Sequence, residues 1–364
     1  MRRYPDSMIK SILPALIAGS LLAQEIAVKG DLVWTGTNLD VAAGETVRLT
    51  ATGTLEYTGG KGEKQTAGVT GLKRGFRDMV RTLPVNASGR GALVARIGEA
   101  VPFAVGDKWE GKAPVSGRLF LGVNQGPSDK GEGSFTVKLE RVAPAPPPVD
   151  LSKLKLPAMT QELLDSIAPR VQDAAGTPGD RVNFIVVGEE KQLVDGLKQA
   201  GWVIVDKNKS SAIVAMGLAT LAKQSYVTLP MSELQLFGRD QDYGFAQADP
   251  LKVVASRHHF RVWKAPFTID GATVFAGAGT HDIGFDKDQR TGGLTHKIDP
   301  ETDQERDYIA KTLQNTGGVA KLDYMTAKNT ITKAKTAHGE EFFSDGRTLI
   351  IYLIPAAATA QQPQ

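Results

Sequence analysis

The sequence predicts an all-β, jelly-roll-like sandwich at the N-terminal end and an α+β domain at the C-terminal end. The chain has 364 residues, which is enough for two domains of ordinary size. Residues 24–142 contain short strand-like segments punctuated by glycine, whereas residues 151–355 mix strand-like and helix-like segments. The proline-rich residues 143–150 separate these two patterns and favour a semi-rigid, extended linker.

Four segments of the first part have the patterns of strands. Residues 46–52 and 134–139 alternate between apolar and polar side chains, and residues 92–97 and 117–123 are apolar enough to be buried. Several short strands with turn signals between them are typical of an antiparallel sandwich.

The second part predicts both kinds of element. Gly201 suits the left-handed cap of one helix, and Asp299 suits the N-cap of another, with Pro300 in its first turn. Residues 356–364 are expected to form a loose tail. The predicted elements are strands over 183–188, 202–205 and 348–353 and helices over 189–200, 212–223 and 299–315.

Composition excludes several classes of function. The chain has no cysteine, which rules out disulfides, thiol catalysis and cysteine-ligated zinc. The net charge is only +3 and the basic residues are spread along the chain. Because nucleic-acid surfaces normally show a basic cluster or stripe, we expect no nucleic-acid partner.

The N-terminus predicts export. Arg2, Arg3 and Lys10 precede a short apolar run that ends in small residues, which is the order of a signal peptide cut after Ala23. No later segment has the roughly 20 apolar residues that a membrane span needs. We therefore expect residues 1–23 to be removed, leaving a secreted or periplasmic protein without a membrane span.

Several phrases within residues 31–141 resemble the LecA (PA-IL-like) family of galactose lectins. They are WTG at 34–36, VAAGETV at 41–47, ALVARIG at 92–98, GRLFLGVN at 117–124 and GSFTV at 133–137. The resemblance implies a small jelly-roll-like sandwich that contacts a glycan or another component of the cell envelope.

The calcium and sugar site that this resemblance implies is altered. Tyr57 stands where the family has a tyrosine of that site, whereas Gln125, after Asn124, replaces an aspartate ligand. Lys130 and Gly131 replace two asparagine ligands, and Asp129 and Glu132 are the nearby acidic residues that could restore a site. Calcium needs several oxygen ligands with net negative charge, so these changes oppose the one cofactor that the resemblance suggests.

Residues 183–318 resemble the C-terminal domain of LssY proteins. The shared phrases are FIVVG at 184–188, LVDGLKQAGW at 193–202, LFGRDQD at 236–242, RHHFRVW at 257–263, THDIG at 280–284 and THKIDP at 295–300. Relatives of this domain occur fused to membrane phosphatase-like modules. The resemblance implies a fold without implying an established activity for the domain.

Four of the five histidines lie in these phrases, namely His258, His259, His281 and His296. Side chains alternate between the faces of a strand, so Arg257, His259, Arg261 and Trp263 should share one face. His258 should lie on the other face.

Asp270 and Gly271 predict a two-residue hairpin turn after this strand. Pairing outward from the turn without a bulge places Arg261 opposite Thr280 and His259 opposite Asp282. The same register places Trp263 over the small residues around Ala278.

The predicted face combines groups that suit catalysis or binding. A His259–Asp282 pair suits general acid–base catalysis, and Arg257 with Arg261 suits a phosphate or carboxylate group. Cross-strand charge pairs in a polar hairpin explain the same residues structurally. The further ligand-binding candidates are Trp263, Thr280, His258, His281 and His296.

A metal site is a further hypothesis. His296, Asp299, Asp303 and Asp307 offer imidazole and carboxylate groups that could complete such a site if they approach the predicted face. The sequence does not specify which metal would bind.

Three functions stay open at this point. The preferred one is an exported, envelope-associated binding protein whose lectin-like module contacts a glycan or surface ligand and whose second domain binds a small anion. The second is a hydrolase of phosphoester-type bonds that uses the His259–Asp282 pair and an arginine clamp, although no nucleophile motif, P-loop or metal signature supports it. The third is a structural or docking protein without a small-molecule ligand. Whether the chain is an enzyme is therefore left open.

Overall fold

The computed structural model describes residues 24–59, 62–73, 83–126, 128–205, 231–247, 257–287, 294–337 and 339–359. The predicted signal peptide and the predicted helix over residues 212–223 lie outside these ranges. Within them most of the regular structure is β-strand, which confirms the β-rich character of the prediction. No helix in the described ranges has the length and apolar character needed to cross a membrane.

The strands of the first part form two antiparallel sheets. They are β1 (Gln24–Lys29), β2 (Trp34–Val41), β3 (Thr46–Thr58), β4 (Lys64–Gly68), β5 (Leu93–Ile97), β6 (Phe103–Ala104), β7 (Lys108–Lys112), β8 (Gly117–Val123) and β9 (Glu132–Ala143). One sheet has the order β1-β9-β3-β4, with β7 also paired to β3, and the other has the order β2-β8-β5-β6. The four predicted segments all fall in these strands.

A single hydrophobic core joins the two sheets. Val47 and Leu49 of β3 are buried while their neighbours along the strand are not, as the pleat of a strand requires. Leu119 and Leu121 of β8 are buried in the same cluster from the other sheet. The first part is therefore a two-layer sandwich.

The second part contains the remaining strands and all of the described helices. The strands are β10 (Arg170–Gln172), β11 (Pro178–Arg181), β12 (Phe184–Gly188), β13 (Val203–Ile204), β14 (Gln235–Leu236), β15 (Arg239–Asp240), β16 (Tyr243–Gln247), β17 (Arg257–Ile269), β18 (Ala272–Lys287), β19 (Leu294–Ile298), β20 (Val319–Met325), β21 (Lys333–Lys335), β22 (Glu341–Phe343) and β23 (Thr348–Leu353). The helices are α1 (Gln161–Asp165), α2 (Glu190–Gln199), α3 (Thr302–Gln314) and α4 (Ala356–Thr359), and Leu151–Lys153 form a 3-10 turn. The residues predicted as a loose tail thus begin with a short helix.

An eight-stranded sheet organises this part. Its order is β13-β16-β17-β18-β12-β23-β20, with β19 paired to β18, and only the β12–β23 pair is parallel. Helices α2 and α3 pack on one face around Phe260, through residues such as Leu197 and Ile309. Trp263 lies in a second core on the opposite face, together with Leu164 of α1.

The helix boundaries agree with the prediction at one end of α2 and differ at the start of α3. Gly201 follows α2 with a φ of 96°, the left-handed conformation expected of a glycine after a helix. Asp299, by contrast, is not the N-cap of α3, because the helix starts after Glu301. Asp299 instead accepts a hydrogen bond from the Glu301 amide at 2.9 Å through its Oδ1.

The β17–β18 hairpin has the predicted turn but a different register. Asp270 and Gly271 both have positive φ, as a two-residue turn of this type requires. His259 lies opposite Thr280, not Asp282, and Arg257 lies opposite Asp282. The predicted pairs are therefore wrong by two residues.

A bulge near the turn causes this displacement. Residues 265–267 of β17 stand against Val274 alone, so two extra residues are accommodated on β17. Pro266 lies at the centre of the bulge, and a proline has no N–H to donate to the ladder. Because the displacement is an even number of residues, every side chain keeps its predicted face.

Gly277 allows β12 and β18 to pack closely. It lies opposite Phe184, and a Cβ atom added to Gly277 would stand 2.1 Å from Cζ of the Phe184 ring. The ring fills the space that a side chain would occupy and packs edge-on against Phe260 at 5.4 Å. Even an alanine at this position would therefore have to displace a fully buried aromatic ring.

We predict that Gly277→Ala lowers the free energy of unfolding by about 1–3 kcal/mol, the usual cost of overpacking a core. Urea denaturation of the full chain measures this loss. Gly284→Ala is the matched control, because it lies in the same strand and its added Cβ meets no described atom within 4 Å. Equal losses in the two variants would contradict this explanation of Gly277.

Candidate functional site

A polar cavity of about 210 Å³ lies beside β17 and β18, on the face of the sheet opposite α3. Five residues that the sequence analysis predicted to share one face line this cavity, although their predicted cross-strand pairing was wrong. They are Arg257, His259, Arg261, Thr280 and Asp282. All five are buried, so the cavity has a charged but largely desolvated floor.

Asp282 lies between an arginine and a histidine. One of its carboxylate oxygens, Oδ2, is 3.3 Å from Arg257 Nη2 and 3.5 Å from His259 Nδ1. Burial raises the pKa of Asp282 to about 6, although the positive charges of Arg257 and Arg261 oppose that shift. A carboxyl group with such a pKa can exchange a proton near neutral pH.

Arg261 is held in place by a neighbouring segment. Its Nε donates to the Ser232 carbonyl at 3.0 Å, and its Nη2 donates to the Ser232 hydroxyl at 3.1 Å. Asp180 is 3.5 Å from its Nη1. Burial lowers the pKa of Arg261, but the ordinary value is so high that the guanidinium group stays charged.

His259 connects a hydroxyl group to a carboxylate. Thr280 Oγ1 lies 2.9 Å from His259 Nε2, and Asp282 lies on the Nδ1 side of the same ring. An Nδ1–H directed at Asp282 would leave Nε2 to accept the Thr280 proton. The order hydroxyl, imidazole and carboxylate is the order of a hydrolytic triad, with threonine in the place of the nucleophile.

The cavity offers hydrogen-bond acceptors as well as cations. Asp180 and Glu340 line it together with the arginines, and Glu340 Oε1 accepts a hydrogen bond from the Ile298 amide at 3.3 Å. The cavity can therefore contact an anionic group on one side and hydroxyl or amino groups on the other.

His258 and His281 do not join this cavity. They lie opposite each other on β17 and β18, and their side chains project to the face that carries α3. Their rings stack with a centroid distance of 4.1 Å, and His258 Nδ1 is 2.6 Å from Glu305 Oε2 of α3. The predicted set of ligand-binding residues is thus divided between two faces of the sheet.

Trp263 is a core residue. It is fully buried opposite Ala276, whereas the prediction placed it near Ala278. It packs with the apolar cluster on the cavity side of the sheet and does not line the cavity.

Three of the four predicted metal ligands, Asp299, Asp303 and Asp307, form contacts within the protein. Asp303 and Asp307 flank Arg306, at 3.2 Å and 2.8 Å, so their carboxylates neutralise a buried guanidinium group. Asp299 accepts a hydrogen bond at the start of α3, as described above. His296 lies in β19 opposite Phe285, and its side chain is outside the described part of the chain.

The predicted remnant of a sugar and calcium site is occupied by internal contacts. Tyr57 donates to Gln125 Oε1 at 2.7 Å, and Asn124 Oδ1 accepts from the Val85 amide at 2.9 Å. The Arg90 guanidinium group stacks on Tyr57 at 4.4 Å and lies 3.7 Å from Asp129. Amide oxygens that already have partners, beside a fixed positive charge, do not fit the requirements of calcium.

Three residues of the cavity were missed by the sequence analysis. Asp180, Ser232 and Glu340 reach it from separate segments of the chain. None belongs to a recognisable motif, and only the tertiary structure brings them to β17. Glu305 was also missed, because nothing in the sequence connects it to the two histidines.

Comparisons with known proteins match a family to the second part of the chain and a solved structure to about a third of the chain. A family described as the LssY C-terminus matches residues 161–348, which extends beyond the predicted 183–318 at both ends. A solved structure, described as the EclA N-terminal domain and a PllA-like lectin, is 19% identical to the chain. That match covers 33% of this chain and 94% of the lectin domain, with a TM-score of 0.25. No curated protein matches the chain.

We predict that Asp282 makes stability depend on pH in a specific direction. Its pKa is about 6 in the fold against 3.8 ordinarily, so between these values the folded chain binds more protons than the unfolded chain. The contribution of Asp282 to the free energy of unfolding therefore decreases as pH rises from about 4 to about 6, by on the order of 2–3 kcal/mol. Asp282→Asn removes this decrease, as urea denaturation of both proteins over this range would show. Parallel pH curves would contradict the assignment.

Proposed function

The chain belongs to the family of the LssY C-terminus, and we propose that this part of it binds a small molecule that carries an anionic group beside hydroxyl or amino groups. The observation that supports the proposal is a pair of buried arginines, Arg257 and Arg261, on the floor of one cavity. Two buried guanidinium groups side by side offer N–H donors with fixed directions and two positive charges, which suit an anionic group.

The ion pairs between the two arginines and their carboxylate partners are longer than ideal. Arg257 and Arg261 lie 3.3 Å and 3.5 Å from their carboxylate partners, Asp282 and Asp180. Close charge-assisted hydrogen bonds measure about 2.7–2.9 Å, so these pairs are long. A phosphate or carboxylate group placed between the two guanidinium groups would form shorter hydrogen bonds to both.

The acidic residues of the cavity narrow the class of ligand. A plain anion would be repelled by Asp180, Asp282 and Glu340, which face the same space. Hydroxyl or amino groups on the ligand would donate to these carboxylates and turn repulsion into hydrogen bonds. An acidic sugar or a sugar phosphate has both kinds of group, and its size suits a cavity somewhat below the roughly 300–1,000 Å³ typical of drug-sized ligands.

The role of the first part belongs to the same proposal. We infer a secreted or periplasmic, envelope-associated protein in which a jelly-roll-like, lectin-like sandwich contacts a glycan and a following α+β domain holds the small ligand. The signal-peptide pattern at residues 1–23 and the lectin-like phrases support this arrangement. The two parts are also hydrogen-bonded, since Gln247 Nε2 donates to the Glu99 carbonyl at 3.1 Å and the Ser116 amide donates to the Asn315 carbonyl at 2.6 Å.

Calorimetric titration of the full chain with glucose 6-phosphate, glucuronate, inorganic phosphate and glucose tests the binding proposal. We expect at least one of the two acidic sugars to bind more tightly than either phosphate or glucose. Arg261→Lys keeps the positive charge but loses the planar guanidinium group that can donate two parallel hydrogen bonds. It should weaken this binding by about 10- to 100-fold, the value of a hydrogen bond to a charged group.

Arg239→Lys is the control, because Arg239 is exposed in β15 and does not line the cavity. It should bind like the wild-type chain. Absence of binding by every anionic probe, or equal binding by Arg261→Lys, would overturn the proposal and favour a docking protein without a small-molecule ligand.

The hydrolase is a second candidate, because the contact between Thr280 and His259 supplies the nucleophile that the sequence analysis did not find. Thr280 Oγ1 could attack the carbonyl carbon or the phosphorus of an ester while His259 accepts the hydroxyl proton. The bond to the alcohol would break, and His259 would return the proton to the departing alcohol. Water, deprotonated by His259, would then hydrolyse the ester bond on Thr280 and restore the hydroxyl group. The arginines would stabilise the charge that develops on the substrate.

Hydrolysis of nitrophenyl phosphate and carboxylate esters tests this candidate. Thr280→Val and His259→Ala should each lower the rate by about 10²- to 10⁴-fold, the usual value of acid–base assistance, whereas Thr280→Ser should retain most of it. If His259→Ala leaves the rate unchanged, any activity measured arises elsewhere and this candidate fails.

A further inference from the structure

We propose that His258, His281 and Glu305 form a binding site for a divalent transition-metal ion of the zinc class, on the sheet face opposite the polar cavity. This site is separate from the proposed ligand cavity and does not depend on it. Two imidazole groups and one carboxylate are a set that zinc commonly takes in proteins, with one coordination position left for water or another ligand.

The fold brings the three donor groups together from three elements. His258 and His281 are direct partners in the β17–β18 ladder, and Glu305 reaches them from the first turns of α3. Their donor atoms all lie within 4.8 Å of one another. Ligand atoms of a tetrahedral site with bonds near 2.0–2.1 Å are about 3.3 Å apart, so small side-chain rotations would complete the geometry.

Glu305 supplies the observation that points to a cation. Its side chain is only 2% exposed, and its Oε1 has no hydrogen-bond partner of normal geometry among the described residues. A metal ion bound here would balance the charge of the buried carboxylate and contact its second oxygen.

The surroundings of His258 fix the orientation of its ring. Tyr308 stacks on it with a centroid distance of 4.0 Å, and the Tyr308 hydroxyl donates to Gln247 Oε1 at 2.6 Å. This stacking restricts rotation of the His258 ring and keeps it beside His281 and Glu305. The side chain of His258 is 26% exposed, which leaves a route for an ion to enter.

A hydrogen-bonded pair of His258 and Glu305 without a metal is the competing explanation. It accounts for the 2.6 Å contact but leaves Glu305 Oε1 without a hydrogen bond of normal geometry to any described residue. The two explanations differ in whether the protein binds an ion stoichiometrically.

Titration of the full chain, purified without a histidine tag, with zinc or cobalt ions distinguishes them. We expect one ion per chain by calorimetry and a cobalt absorption spectrum of tetrahedral type. Affinity should fall as the solution is made more acidic, because protons compete with the metal ion for the two imidazoles. Glu305→Gln and His281→Ala should each weaken binding beyond the about 10- to 100-fold that an outer-shell partner is worth.

His259→Ala is the matched control, because it removes an imidazole from the next position of the same strand but from the other face. It should bind the metal like the wild-type chain. Glu305→Gln keeps the shape of the side chain, so a loss of binding in a variant with unchanged thermal stability reports on the ligand itself.

Absence of stoichiometric binding, or wild-type affinity in both Glu305→Gln and His281→Ala, would overturn the proposal. Binding of acidic sugars by the cavity is measured independently, so either proposal can fail without the other.

Discussion

Side chains alternate between the two faces of a β-strand, and in the paired strands β17 and β18 this alternation decides which residues reach which face of the sheet. His258 and His259 are neighbours in sequence, but one lies beside α3 and the other in the polar cavity. Both strands lie inside the eight-stranded sheet, which fixes the direction of each side chain. The separation of the two clusters follows from this one ladder.

The two clusters nevertheless influence each other through charge. Asp282 and Glu305 are buried carboxyl groups on opposite faces, and the charge of Asp282 raises the pKa of Glu305. Arg257 pairs with Asp282, whereas His258 pairs with Glu305. That difference is why the cavity suits an anionic ligand and the histidine cluster suits a cation.

The sequence predicted which residues lie on the same side of the sheet, but not which residues are paired across β17 and β18. Alternation along β17 is a local property, and it survived because the bulge at residues 265–267 displaces the ladder by an even number of residues. Asp180, Ser232 and Glu340 could not be predicted, because their approach depends on the path of distant segments. Asp303 and Asp307 looked like metal ligands by type, yet both pair with Arg306. Asp303 lies one helical turn before Arg306, as the i,i+3 spacing allows, and Asp307 follows it directly.

The separation of two chemistries across one sheet can be measured directly by long-range proton–nitrogen NMR of the histidine rings in the full chain. Glucose 6-phosphate should shift the ring signals of His259 and leave those of His258 and His281 nearly unchanged. Zinc ions should do the reverse. If either probe perturbs the histidines of both faces equally, or if neither probe perturbs any of them, the assignment of separate sites to the two faces is wrong.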